Sequence, residues 1–243
     1  MTAPHLPGGI GISHLRVYDT PAIDGVRGGT PHVHTCCTEA YYVIKGVGAV
    51  HTLSMAGGVQ ITGLEPGALV WFPPGTIHRL ANQSGDLEIL VLMANDGLPE
   101  AGDMVLTFPD DILGDPDRYW GEALLSDAEA VSTGSGREAR IRRDLAVTGF
   151  LDLRAAWLDG DRTPLAAFFH RVVALLGPRA ASWQAMLDDG PLAAAARTQE
   201  QLDALTNGAI FGLLDGGTHR MHPPTGPRRM GCCGTLGTYV LPA

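Results

Sequence analysis

The sequence is poor in basic residues, in charge of either sign and in long apolar runs, and each shortage excludes a class of protein. Lys and Arg total 17 against 26 Asp and Glu among 243 residues, which gives a net charge of -9. Binding to a phosphate backbone needs a dense basic surface, so we expect no nucleic-acid partner. Charged residues are 18% of the chain, too few for a disordered protein, and 45% are hydrophobic, enough for a sizeable core.

No apolar run approaches the ~18 residues that a membrane-spanning helix needs. The first residues, MTAPHLPGGIG, have neither the charged nor the apolar region of a signal peptide. We therefore expect a cytoplasmic protein with no membrane partner. A chain of this length fits one large domain, or one small domain with an extension.

Cysteine is also scarce, with four residues arranged as two adjacent pairs, Cys36–Cys37 and Cys232–Cys233. Neighbouring cysteines rarely bridge each other because disulfide geometry constrains the backbone, so in a cytoplasmic chain we expect reduced thiols. A disulfide between the two pairs is the alternative. The tail also contains His219 and His222, but its histidines and cysteines do not have the spacing of zinc ligands, so we expect no zinc site there.

The part of the chain before residue 115 has the pattern of an all-β domain. Strand candidates are separated by turn signals such as Ala56-Gly57-Gly58 and Pro73-Pro74-Gly75. The predicted strands cover residues 12–18, 41–44, 47–55, 59–62, 68–72 and 87–93. Many short strands at this spacing indicate a sandwich or a barrel.

After Asp115 the pattern becomes helical. Thr163-Pro164, then LAAFFHRVVALL and Gly177-Pro178, predict a helix that Thr163 caps and Gly177 ends. Its predicted apolar stripe comprises Leu165, Phe168, Phe169, Val172, Val173 and Leu176. Further helices are predicted over 141–158, 182–187 and 191–205, and a flexible link over 132–137. We therefore divide the chain into a metal-binding barrel, residues 1–115, and a mainly helical extension or lid, residues 116–243, with a Pro- and Gly-rich tail.

Metal-binding side chains occur in two segments, PHVHTCCTEAYYVIKG at 31–46 and GALVWFPPGTIHRLAN at 67–82. Alternate residues of a strand share a face, so His32 and His34 point the same way, and a tight turn can bring Glu39 beside them. His78 opens a new strand after the Pro-Pro-Gly turn. Three imidazoles and one carboxylate suit a single divalent first-row metal ion: Fe, Mn, Ni, Co, Cu or Zn.

The same two segments resemble the paired motifs of the cupin superfamily. The first family motif, Gly-x5-His-x-His-x3–4-Glu-x6-Gly, is matched by His32, His34, Glu39 and Gly46, although Val26 stands where the motif has its leading glycine. The second motif, Gly-x5-Pro-x-Gly-x2-His-x3-Asn, is matched throughout. Its matching residues are Gly67, Pro73, Gly75, His78 and Asn82. The resemblance implies a mainly β fold, a cupin-type jelly-roll β-barrel followed by a mainly helical extension, with the metal bound by His32, His34, Glu39 and His78.

The resemblance also favours an enzyme. Dioxygenases are frequent among proteins with this motif pair, so it implies an iron-type (di)oxygenase acting on a small organic substrate. Glu39 and Tyr41 are then the predicted catalytic residues, because Tyr41 shares the strand face of Glu39. The alternatives are a redox-neutral metal-dependent isomerase, epimerase, lyase or decarboxylase, and a non-catalytic cupin that binds a small molecule.

A homodimer is a further expectation. Barrels with these motifs often pair through edge strands, and the apolar stripe of the 163–176 helix needs a surface to cover it. Burial of that stripe within its own chain is the alternative.

Overall fold

The computed structural model describes residues 6–131, 136–210 and 212–239. Its strands are β1 (Gly11–Val17), β2 (His32–Val33), β3 (Glu39–Lys45), β4 (Gly48–Ser54), β5 (Gly58–Leu64), β6 (Leu69–Phe72), β7 (Ile77–Asn82), β8 (Glu88–Met93), β9 (Val105–Leu106), β10 (Arg229–Met230) and β11 (Gly234–Thr238). Its helices are α1 (Asp110–Leu113), α2 (Pro116–Ala123), α3 (Asp127–Ala130), α4 (Arg137–Leu158), α5 (Thr163–Ala180), α6 (Gln184–Leu187) and α7 (Ala193–Thr206). A π-helical segment, Asp188–Leu192, joins α6 to α7.

The strands form two antiparallel sheets. One has the order β10-β11-β1-β8-β3-β6, and the other has the order β5-β4-β7-β2-β9. Buried and less buried residues alternate along β8, as they do in a sheet with one face on the core. A single hydrophobic cluster contains Val43 and Ile89 of the first sheet and Leu53 and Leu80 of the second. The predicted fold class, a cupin-type barrel with a helical extension, is confirmed.

Helix α4 packs against the five-stranded sheet and begins at Arg137, four residues before the predicted start. A Cβ at Gly149 would lie only 2.2 Å from the main-chain oxygen of Thr107, so only glycine permits this approach. The Thr107 hydroxyl also donates to the main-chain oxygen of Ala146 (2.8 Å). At its other end, α4 brings Trp157 against Gly58 of β5. Residues 132–135 of the predicted link lie outside the described residues.

Helix α5 corrects three predictions. Thr163 is the first helical residue and Arg162 is the N-cap, and the helix continues through Gly177 and Pro178 to Ala180. Pro178 lies in the last turn, where its missing N–H removes only one helical hydrogen bond. Of the predicted stripe, Val173 is 70% exposed. Successive residues turn by about 100° around a helix, so Val173 lies about a quarter turn from the centre of the buried face.

The rest of the stripe is buried in the hydrophobic cluster of its own chain, with Phe169 partly buried against it. This burial was the alternative to a covering partner, and the homodimer stays a prediction. Among the described residues, no helix combines the length and apolarity that a membrane crossing needs.

The tail returns to the barrel and adds strands to it, which the sequence pattern did not predict. Strand β11 pairs antiparallel with β1, with Leu236 opposite Leu15 and Thr235 opposite Arg16. The six-stranded sheet therefore contains strands that precede the helical region in the sequence and strands that follow it. The division of the chain after residue 115 stays a prediction.

Candidate metal centre

Four buried side chains from the two sheets and the segments between their strands converge on one point. The ligand atoms of His32, His34, Glu39 and His78 all lie within 4.8 Å of one another. The backbone explains the meeting, because His32 of β2 is the direct cross-strand neighbour of His78 in β7. Glu39 begins β3 in the opposite sheet. The structure thus brings together all four of the predicted ligands.

Turn chemistry holds the two motif segments against each other. The Pro-Pro-Gly turn places Gly75 at φ +81°, a conformation that favours glycine. The Gly75 N–H then donates to the main-chain oxygen of His34 (2.9 Å). The ring of Phe72 packs on the ring of His78, with centroids 4.4 Å apart. One motif therefore positions the other.

The shortest contacts in the cluster join imidazole nitrogens and a carboxylate oxygen, atoms whose lone pairs normally bind a proton or a metal ion. Nε2 of His78 lies 3.1 Å from Nε2 of His32 and 3.0 Å from Oε2 of Glu39. Nε2 of His34 lies 3.6 Å from the same carboxylate oxygen. The imidazoles therefore turn their ε edges toward one another and toward the carboxylate.

The opposite edge of each ring faces a main-chain carbonyl oxygen. Nδ1 of His32 is 2.8 Å from the oxygen of Thr30, and Nδ1 of His78 is 3.1 Å from that of Thr76. Nδ1 of His34 is 2.5 Å from the oxygen of Asp103. A carbonyl oxygen can only accept, so each Nδ1 donates, and a neutral ring then has an unprotonated Nε2.

The electrostatics favour neutral rings at His32 and His34 and an anionic carboxylate at Glu39. Burial lowers the pKa of His32 well below its usual value, and His78 and His34 lower it further. Burial also lowers the pKa of His34. Burial alone would raise the pKa of Glu39, but the charge that His78 and its neighbours carry when protonated, with the hydrogen bond from His78, outweighs burial and lowers this pKa to about 2. Three Nε2 lone pairs and a carboxylate in one buried cluster fit a divalent cation, which offsets their mutual repulsion.

Asp103 is a site residue that the sequence analysis missed. Its carboxylate is fully buried and accepts from the N–H groups of Thr35 and Cys36 (2.9 Å each) and from the Thr35 hydroxyl. Its main-chain oxygen meets His34, so one residue orients both the ligand and the turn that follows it. No spacing motif signals this residue, because it contacts partners 67 and 68 positions away.

A cavity of about 210 Å³ lies beside the cluster, against His32, His34 and Glu39. Its other walls are mainly apolar, with Leu15, Val91, Met93, Met104 and Leu236 among them, and Ser13 and Glu100 supply polar groups.

The other predicted catalytic residue, Tyr41, is fully buried and is not among the residues that line this cavity. Its ring packs edge-on against Phe72, with centroids 5.4 Å apart. Burial and the charge of Glu39 raise the pKa of Tyr41 well above its usual value, so the hydroxyl stays protonated. The catalytic role of Tyr41 stays a prediction.

The sequence analysis also did not place Cys232 and Cys233 at the cavity, yet both line it. All four cysteines are unbridged. Burial raises the pKa of Cys232 and of Cys233, and the carboxylate of Glu39 adds to the effect on Cys233. The adjacent thiols between glycines were visible in the sequence, but only the pairing of β11 with β1 brings them here.

Comparison with known proteins gives one family match, to the cupin domain, over residues 24–93. No curated protein matches the chain significantly. Partial structural likenesses include a Klebsiella pneumoniae protein with a double-stranded β-helix domain, at 19% identity over 36% of this chain and 68% of that one (TM-score 0.29).

Another is a variant of Bacillus subtilis oxalate decarboxylase, at 22% identity over 41% of this chain and 25% of that one (TM-score 0.35). A third is an oxalate oxidase, at 20% identity over 35% of this chain and 41% of that one (TM-score 0.30). The match thus spans only about a quarter of the decarboxylase chain.

The family match contains all four cluster residues and most of the strands that place them. These strands form the two facing antiparallel sheets described above. Residues 24–93 of this chain therefore match the cupin domain, with the four cluster residues inside the match.

Proposed function

We propose that this protein is an iron-type oxygenase that oxidises a small organic substrate, with His32, His34, Glu39 and His78 as the metal ligands. The observation that carries the proposal is the convergence of three imidazole Nε2 atoms and one carboxylate beside a small, largely apolar cavity. When bound, an iron ion would supply redox chemistry and coordination positions for dioxygen and substrate.

The protein's own groups define what reaches those positions. Main-chain carbonyl oxygens fix the tautomer and the orientation of each imidazole, so little reorganisation is needed when a metal binds. Glu39 stays anionic down to low pH and offsets part of the charge of a divalent ion. Apolar side chains form most of the cavity wall beside the cluster.

The cavity also limits the substrate. Its volume of about 210 Å³ is below the ~300–1,000 Å³ of most small-molecule sites, so we expect a molecule of few non-hydrogen atoms. Ser13 and Glu100 are the groups outside the cluster that can bind its polar atoms. A carboxylate wall at Glu100 favours a substrate with a hydroxyl or amino group over one with a second anion.

The test uses the full chain, loaded anaerobically with one Fe(II) per chain and mixed with a panel of small alcohols, amines, thiols and hydroxy acids. Oxygen uptake is followed together with mass spectrometry of the products, in ¹⁸O₂. Uptake with label in the product supports the proposal, and the His78→Ala chain should show none. Turnover without oxygen uptake would replace the proposal with a redox-neutral isomerase, epimerase, lyase or decarboxylase. Saturable binding without any turnover would replace it with a non-catalytic binding protein.

A further inference from the structure

Sulfur atoms form a second group of donors in the cavity beside the histidine cluster. Four of the lining residues are Cys232, Cys233, Met93 and Met104. The thiol sulfur of Cys232 lies 3.3 Å from the thioether sulfur of Met104. These two residues are 128 positions apart, so their contact is made by the fold and not by local sequence.

The turn that holds the thiols is firmly attached on several sides. The N–H of Thr30 donates to the main-chain oxygen of Cys232 (2.9 Å), and the N–H of Tyr18 donates to that of Cys233 (3.1 Å). The oxygen of the preceding Gly231 accepts from the Tyr18 hydroxyl and from Arg142 of α4, both at 2.9 Å. These bonds fix the main chain that carries the two thiols at the cavity wall.

Close packing from the segment before β2 supports the same conclusion. A Cβ at Gly29 would lie 2.7 Å from the Cα of Cys233 and 2.8 Å from its sulfur. The chain before His32 thus leaves room for this thiol and for no larger group. The cysteine pair has a built position at the cavity wall.

The two donor sets differ in chemical softness. Imidazole nitrogens and a carboxylate bind a divalent first-row ion, whereas thiols and thioethers favour softer ions, above all copper(I). We propose that Cys232 and Met104 form a soft-metal subsite in this cavity, separate from the histidine cluster, which binds one copper(I) ion with Cys233 and Met93 as further sulfur donors. Binding replaces the thiol proton by the ion and releases that proton, and no electron is transferred.

The subsite is tested on the full chain carrying Cys36→Ser, because Cys36 is an exposed thiol that would itself bind copper. The protein is loaded with one Zn(II) per chain and titrated anaerobically with Cu(I) against a copper(I)-specific chelator. Both metals are counted after desalting, and the ultraviolet absorption of the copper–thiolate bond is recorded. We expect one copper per chain with the zinc retained.

Two variants then locate the copper. Cys232→Ser and Met104→Leu should each weaken copper binding by at least ~10-fold while the zinc content stays the same. Met104→Leu nearly conserves volume, so it tests the subsite even if the serine variant folds poorly. Met55→Leu, at an exposed methionine outside the cavity, should bind copper as the parent does.

The result is separable from that of the proposed oxygenase. His78→Ala should lose zinc and keep copper if the two sites are distinct. Copper that displaces zinc from the parent protein would overturn the subsite, because the ion would then occupy the histidine cluster. Unchanged copper affinity in both Cys232→Ser and Met104→Leu would overturn it as well.

Discussion

Strand β7 and helix α7 show how differently the two parts of the chain hold their side chains. Every residue of β7 is buried, and the strand is paired on one side with β4 and on the other with β2. Helix α7 has no buried residue, and Leu205 on it is 58% exposed. A side chain such as His78 is positioned by its neighbours on every side, whereas a side chain on α7 is not.

The comparison teaches that the helical region acts on the barrel where its side chains are buried against the strands, as they are on α4. Arg142 of α4 holds the turn before the cysteine pair, and Arg143 donates to the main-chain oxygens of Thr20 and Pro21 (2.8 and 2.7 Å). Gly149 sets how closely the same helix approaches β9. Changes at these points should reach the barrel.

The largest expected effect is loss of the metal from His78→Ala. This change removes the ligand that the second motif supplies, and loss of an outer partner alone typically costs ~10–100-fold in affinity. The measurement is metal content of the purified protein after dialysis. His170→Ala, at an exposed histidine on α5, is the matched control and should keep its metal. Equal metal loss in both variants, or stoichiometric metal in His78→Ala, would contradict the assignment.

A smaller effect should separate two helical glycines. Gly149→Ala places a methyl group 2.2 Å from the Thr107 oxygen, so α4 must move away from the barrel. Overpacking of this kind costs about 1–3 kcal/mol of unfolding free energy. Gly121→Ala on α2 meets no atom within 4 Å and should instead stabilise by up to ~1 kcal/mol, because alanine is the better helix former. Chemical denaturation of both variants measures the change in the free energy of unfolding. Equal changes in the two variants would show that α4 does not pack tightly against the sheet at Gly149.

Asp103→Asn should weaken metal binding without abolishing it. The substitution keeps the size of the side chain but removes the charge that holds the N–H groups of Thr35 and Cys36. Loss of such an orienting partner typically costs ~10–100-fold in metal affinity. Competition with a chelator gives the affinity. Asp110→Asn, which removes a surface partner of Arg171, is the control and should have the affinity of the parent.

The smallest effect is a shift of the pH dependence of metal binding. Because burial lowers the pKa of His32 and of His34, the folded protein keeps these rings neutral below the ~6.5 at which free imidazole titrates. Protons should therefore displace the metal only below pH ~6.5. The stability of the metal-free protein should also fall as the pH falls through this range, because the unfolded chain then binds more protons than the folded one. Equilibrium dialysis from neutral to acidic pH measures the metal. A midpoint at or above ~6.5 would show that the rings are not protected by burial.

The sequence predicted the parts of the site that depend on local spacing. His32, His34, Glu39 and His78 are recognisable because strand alternation and the Pro-Pro-Gly turn constrain where they point. Asp103, Met104 and the cysteine pair were not predictable, since each reaches the cavity through pairing between distant segments. The prediction that Gly177 ends α5 was wrong for a related reason. Glycine and proline end a helix only when the residues after them do not continue it, and here the helix runs on to Ala180.

The pairing of β11 with β1 has a consequence for the order of assembly. Tyr18 and Gly231, which hydrogen-bond across this seam, are 213 residues apart, so the ribosome must make nearly the whole helical region before they can meet. Until then the edge of β1 carries unpaired N–H and C=O groups, and closing so long a loop is slow. A metal ion that reaches the nascent chain would meet the histidine cluster before its sulfur wall exists. Early metal binding would then favour the histidine nitrogens over the thiols by timing alone.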